Sequence, residues 1–180
     1  MLRKEVNDLL TQTGKGTPMG ELFRQYWMPA LLAWELPEND CPPVRVKLLG
    51  EELVAFRDTN GNYGLVEEYC AHRRVSLWFG RNERGGLRCP YHGWKYDYTG
   101  QCVEVPSEPA ESGYAETIKL TSYPLIKIGD VLWTYMGDLE KKPPEPEWEF
   151  CRVAPEQNFT SKRLQYSNWL QGMEGGIDSS

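Results

Sequence analysis

The sequence has no long apolar run. No window approaches the roughly 20 apolar residues that a membrane-spanning helix needs, and the opening MLRKEVNDLL is charged and patterned as a helix rather than as a signal peptide. A cytoplasmic chain with no membrane partner is therefore expected. Excess positive charge is also missing: the formal net charge is −6 and the pI about 5.1. Nucleic acid is excluded as a partner unless a local basic patch overrides the repulsion. Arg73, Arg74, Arg81, Arg84 and Arg88 are close enough in sequence to make one, but such a cluster is more often a solvated rim or a docking face for an acidic protein. The five cysteines are an odd count in a chain without a secretion signal, which argues against a disulfide framework and favours metal binding wherever a histidine is near. Histidine itself is the scarcest: two occur in 180 residues, each just behind a cysteine.

What is present suits a folded domain with something left over, since hydrophobic residues make up 40% and charged residues 26%. Leu2, Val6, Leu9 and Leu10 recur at helical spacing. A second helix is predicted after Thr17, with Pro18 in its first turn and Leu22, Phe23, Tyr26 and Trp27 on it, ending at Pro29. From Pro42 the period becomes two, through VRVKLLG and ELVAFRD, with an Asn60-Gly61 turn before LVEEYC. More strands are predicted in GWKYDYTGQCVEV, turning at Thr99-Gly100, and in SYPLIKIGDVLWTYMG, turning at Gly129-Asp130. The run DLEKKPPEPEWE has the composition of an exposed connection, followed by a predicted strand, NFTSKRLQYS, and a helical start, NWLQGMEGGIDSS.

The chemistry concentrates in two short stretches. Cys70 and His72 are separated by one residue, Cys89 and His92 by two, and sixteen residues lie between the pairs. Four such ligands can hold one zinc or a two-iron cluster. A zinc knuckle closes both members of each pair on one ion and wants two to four residues between them, which makes Cys-X-His tight. A two-iron cluster relaxes the constraint, because each loop gives its cysteine to one iron and its histidine to the other. Cys41, Cys102 and Cys151 lie outside the pattern and read as small hydrophobes.

CAH followed by CPYHGW resembles the Rieske signature, Cys-X-His, a spacer, then Cys-X-X-His-Gly. A zinc-stabilised interaction domain is the non-redox alternative. Rieske proteins of respiratory complexes carry an extra cysteine in each loop and a serine after His-Gly; here Tyr91 and Trp94 stand at two of those places. Fewer hydrogen bonds to the cluster are then expected, with a potential toward the low end of the roughly −150 to +300 mV Rieske span. GTPMGELFRQYWMPALLAWELPEND, PPVRVKLLGEELVAFRDTNG, VPSEP and NWLQGMEGGIDSS make the whole chain similar to the N-terminal half of a Rieske non-haem iron oxygenase of the phthalate and phenoxybenzoate dioxygenase type.

That resemblance implies a mainly β fold. A helical N-terminal segment would occupy residues 1–40, a [2Fe-2S] domain of antiparallel sheets 41–138, a proline-rich linker 139–147, and the start of an α+β catalytic domain 148–180. It also implies a [2Fe-2S] cluster on Cys70, His72, Cys89 and His92, and a mononuclear Fe(II), in the full-length protein only, that drives O2-dependent hydroxylation or demethylation of an aromatic substrate. A flavin and iron–sulfur reductase or a ferredoxin would donate electrons to a homotrimer. In the family an aspartate bridges a cluster histidine of the neighbouring subunit to an iron histidine of its own, and Asp178 in the step Asp178-Ser179-Ser180 matches it, with His92 as its cluster-side partner. Asn168 and Trp169 would line the way into the catalytic domain. Because both histidines are used by the cluster motif, the chain as it stands has none left for the mononuclear site; a stand-alone electron-transfer protein is the alternative.

Overall fold

The structure, a computed structural model, describes residues 3–178. Two short helices open the chain, α1 (Lys4–Thr11) and α2 (Pro18–Phe23). Thr17 caps α2 through its hydroxyl, which accepts the Gly20 N–H at 3.1 Å, and Pro18 sits where a missing N–H costs nothing. The helix does not run on to Pro29. Tyr26 and Trp27 leave it, and strand β1 (Trp27–Leu32) follows, so within the segment expected to be helical over residues 1–40 the α-helices end at Phe23 and only a 3-10 turn, Ala33–Glu35, comes after the strand. The apolar run YWMPALL fits either period. It becomes a strand because it is an edge: β1 has one neighbour, and Pro29 falls where the register shifts, so no ladder bond is lost.

The next strands are β2 (Val44–Leu48), β3 (Glu51–Arg57) and β4 (Tyr63–Glu67), then β5 (Arg81–Glu83), β6 (Gly86–Arg88), β7 (Lys95–Tyr96) and β8 (Cys102–Glu104), and last β9 (Ser122–Ile128) and β10 (Val131–Tyr135). They form two antiparallel sheets, one ordered β1-β10-β9-β4-β3-β2 and a smaller one ordered β5-β6-β7-β8. The mainly β class expected from the sequence is the one observed. All three predicted turns form, with Gly61, Gly100 and Gly129 at positive φ. The large sheet is buried on both faces at β3 and β4. Val54 and Phe56 of β3 point into a core shared with Leu77, Leu87 and Tyr96, while Leu53 and Ala55 point into a second core with Leu36, Leu65 and Leu132. This accounts for the unbroken run LVAF, which a one-faced strand would have interrupted with polar residues.

Past β10 the proline-rich run is tethered rather than free. The Trp27 indole N–H is 3.2 Å from the carbonyl oxygens of both Pro143 and Pro144, and Lys142 lies over its ring. The strand predicted over residues 158–167 does not form: Phe159, Leu164 and Tyr166 remain 91%, 79% and 95% exposed, and nothing pairs with that backbone among the described residues. The predicted helix does form, as α3 (Trp169–Ile177), with Asn168 capping it by accepting the Gln171 N–H at 2.9 Å. Trp169 packs edge-on against Phe23 and donates to the Leu10 carbonyl at 2.9 Å. Asn168 and Trp169 thus have capping and packing roles. Among the described residues no helix is long and apolar enough to cross a membrane.

Candidate metal centre

The two Cys-His stretches fold into loops with the same backbone frame. In the first, the Cys70 N–H donates to the Val75 carbonyl at 3.0 Å, and the Arg74 N–H returns to the Cys70 carbonyl at 2.9 Å. In the second, Cys89 N–H donates to Trp94 at 2.8 Å and Gly93 N–H returns to Cys89 at 3.1 Å. Each frame turns on a residue with left-handed φ, +56° at Arg74 and +76° at Gly93. A Cβ on Gly93 would stand 3.1 Å from Pro106 Cγ, so both the φ and the tight space favour glycine there.

The loops bring like donors together. Cys70 and Cys89 are 1% and 3% exposed and belong to one buried cluster; burial, then the neighbouring Cys70, pushes the Cys89 thiol pKa up. His72 and His92 are exposed, with ring centroids 4.6 Å apart. Desolvation, then His92 and Arg73, lowers the His72 pKa and so favours the neutral ring that a metal needs. No three histidine, cysteine or acidic side chains among the described residues gather as a single ion would require. The donors instead separate into a buried pair of sulfurs and an exposed pair of imidazoles. That fits a two-metal unit with chemically distinct ends better than one tetrahedral zinc.

Aromatic residues complete the surroundings. Trp94 is buried and reaches across from the second loop to stack on His72, with centroids 4.6 Å apart and planes within 7°. Tyr91 lies 3.8 Å from His92 and is 57% exposed. The Tyr96 hydroxyl is 3.2 Å from Cys70 Sγ and accepts the Ala71 N–H at 3.3 Å, which leaves its own proton free for a thiolate. At Cys89 the backbone of Tyr91 and His92 works against burial and favours the thiolate. Two anchors stand just before the cysteines. Glu68, 5% exposed, accepts from Ser76 Oγ and from Arg45 Nε. Arg88, whose side chain is 14% exposed, pairs with Glu83 and Glu104; it does not belong to the solvated arginine rim anticipated from the sequence.

Tyr96 and Glu68 were not singled out from the sequence, and Arg88 only as one of a basic cluster. The alternation Trp94, Tyr96 was a usable signal for an inward-facing tyrosine, but the Arg88–Glu104 pair spans sixteen positions and follows only from the order of the small sheet. Asp178 is exposed at the C-terminus of α3, its N–H bonded to the Glu174 carbonyl. It lies on a different element from the two loops, and Ser179 and Ser180 fall outside the described residues.

Comparison with known proteins places this geometry in context. A model of the Rieske [2Fe-2S] domain matches residues 26–124. The chain is 45% identical over 185 aligned positions to the phthalate 4,5-dioxygenase oxygenase subunit of Pseudomonas putida, covering 100% of this chain and 41% of that protein. It is 42% identical over 182 positions to the 5,5'-dehydrodivanillate O-demethylase oxygenase subunit of a Sphingobium species, covering 99% and 42%. Among solved structures, dicamba monooxygenase with non-heme iron and dicamba superposes with a TM-score of 0.60 at 28% identity, over 71% of this chain and 38% of that one. The chain spans about two-fifths of the length of these curated relatives.

Proposed function

The chain belongs to the Rieske [2Fe-2S] domain family, and from that premise we propose that Cys70 and Cys89 hold one iron of a [2Fe-2S] cluster, His72 and His92 the other, in the electron-accepting part of an oxygenase for an aromatic substrate. The observation that carries this reading is the separation of buried sulfurs from exposed imidazoles. A cluster held there supplies reversible one-electron transfer at a potential tuned by nearby charge and hydrogen bonds. The chain's own residues prepare the place: the core excludes water from the thiolates, the Tyr96 hydroxyl donates to Cys70, and Trp94 holds the plane of His72. The exposed edges of His72 and His92, beside Tyr91, are where a donor protein approaches.

The rest of the enzyme is proposed from its relatives, which are oxygenase subunits. Both histidines of these 180 residues lie in the cluster loops, so the mononuclear Fe(II) site takes its two histidines from other sequence. We place the electron-accepting domain at residues 41–138 together with strand β1, the linker at 139–147 and the first part of the catalytic domain at 148–180. Electrons come from a flavin and iron–sulfur reductase or a ferredoxin, the enzyme is a cytoplasmic homotrimer, and it hydroxylates or demethylates its substrate with O2. Asp178 bridges a cluster histidine of the neighbouring subunit to an iron histidine of its own; a carboxylate between two metal-bound imidazoles fixes both rings.

Anaerobically purified protein is expected to be reddish-brown, with two irons and two acid-labile sulfides per chain. Colourless material holding one tightly bound zinc would overturn the ligand assignment. In the full-length enzyme, Asp178→Asn should leave both metals bound and slow transfer between them; undiminished single-turnover product would remove the bridge.

A further inference from the structure

Arg88, Lys95 and Glu104 stand on one rung of the small sheet, in register across β6, β7 and β8. The guanidinium of Arg88 is tied on every side: Nε to Glu83 at 2.6 Å, Nη1 and Nη2 to the two Glu104 oxygens at 3.0 and 2.8 Å, and Nη1 to the carbonyl of Gly93 at 2.8 Å. Lys95 closes the knot on Glu104 at 3.1 Å. Of the Arg88 bonds only the one to Gly93 leaves the small sheet, and it reaches the peptide between Gly93 and Trp94. One flank of that peptide carries His92, a residue before Gly93; the other carries Trp94, which stacks on His72 of the opposite loop. The carbonyl direction sets ψ of Gly93, the one residue of the loop whose missing side chain leaves it free to swing.

We propose that Arg88 is a positioning residue that fixes the mutual orientation of the two imidazoles through the Gly93 carbonyl. This rests on the reading of His72 and His92 as ligands and adds to it a residue that touches neither ring. The bidentate pair with Glu104 holds the guanidinium plane rigid, as a lysine ammonium does not. One group on the far side of the second loop thereby orders both loops.

The test compares Arg88→Met, Arg88→Lys and Glu104→Gln with the parent protein. Iron and labile sulfide in the parent are measured first; their absence would remove the ligand assignment and this proposal with it, whereas their presence makes the variants diagnostic of Arg88 alone. Arg88→Met is expected to release iron to a chelator about 10- to 100-fold faster, and its reduced state to give an altered EPR g-anisotropy and visible circular dichroism. Arg88→Lys should recover the retention in part but not the spectra. Glu104→Gln, which leaves the Gly93 bond and loosens its anchor, should fall between Arg88→Met and the parent in both readouts. A merely structural role predicts a lower melting temperature with spectra superposing on the parent's, and that result overturns the proposal. If Arg88→Met does not fold, parental spectra in both Arg88→Lys and Glu104→Gln overturn it equally.

Discussion

Residues 70–75 and residues 89–94 make the same pair of backbone hydrogen bonds around a buried cysteine, yet the two loops are held by opposite charges. Behind the first stands a buried carboxylate, Glu68, satisfied by Ser76 and Arg45; behind the second stands a mostly buried guanidinium, Arg88, satisfied by two carboxylates and a backbone carbonyl. The sulfurs differ likewise: a side-chain hydroxyl stands beside Cys70, whereas at Cys89 it is the backbone of Tyr91 and His92 that favours the thiolate against burial. The left-handed position is an exposed arginine in one loop and a crowded glycine in the other. A loop frame can thus be repeated while its support is rebuilt from whatever the adjoining strands offer.

Four experiments would break or sharpen that equivalence. The largest effect is expected from Cys70→Ser and Cys89→Ser, each of which should abolish the cluster, read as lost labile sulfide; retention in one of them would mean that the loops are not equal partners. Next, Gly93→Ala should cost about 1–3 kcal/mol through backbone strain, while Arg74→Gly should change stability by no more than about 1 kcal/mol, because relief of its positive φ offsets the loss of its exposed pair with Glu67. Denaturant midpoints measure both, and equal midpoints for the two variants would erase the distinction. Third, Tyr96→Phe should keep the fold and lower the reduction potential, since the Cys70 thiolate loses a donor; voltammetry showing no shift would remove the hydroxyl from the tuning of the site.

The smallest effect concerns acid. The Arg88 hydrogen bond holds the Glu104 carboxyl at about 2, well below its ordinary 4.5. A depressed carboxylate pKa adds stability that is complete above the ordinary value and disappears as the pH falls toward the depressed one. Parent protein should therefore lose its advantage over Glu104→Gln progressively between about pH 5 and about pH 2. The side chain is 43% exposed, so solvent screening keeps the difference modest. A constant difference across that range would show that the pair adds nothing pH-dependent.

The features visible in the sequence were those written in local pattern. The period-two runs, the three glycine turns, the Thr17-Pro18 helix start and the pairing of both histidines with cysteines each need only a few neighbouring residues to be recognised. The misreadings had a common cause. YWMPALL and NFTSKRLQYS are short segments whose state depends on a partner far away in the chain: β1 becomes a strand because β10 lies beside it, and residues 158–167 stay irregular because no strand pairs with them among the described residues. Glu68 and Tyr96 were missed, and Arg88 was read as part of a solvated rim, for the same reason. Their partners at the site, Arg45, Glu104 and Cys70, lie 16 to 26 positions away, a separation that no local motif records.

The indole of Trp27 gives the proline-rich run a fixed bearing. It grips two consecutive carbonyls in a stretch whose φ angles are already locked by the pyrrolidine rings, so the chain leaves the large sheet like a rod in a socket. Replacing that one ring would free the proline-rich run where it leaves the sheet, while Trp169 still holds the helix beyond it against Phe23 and Leu10.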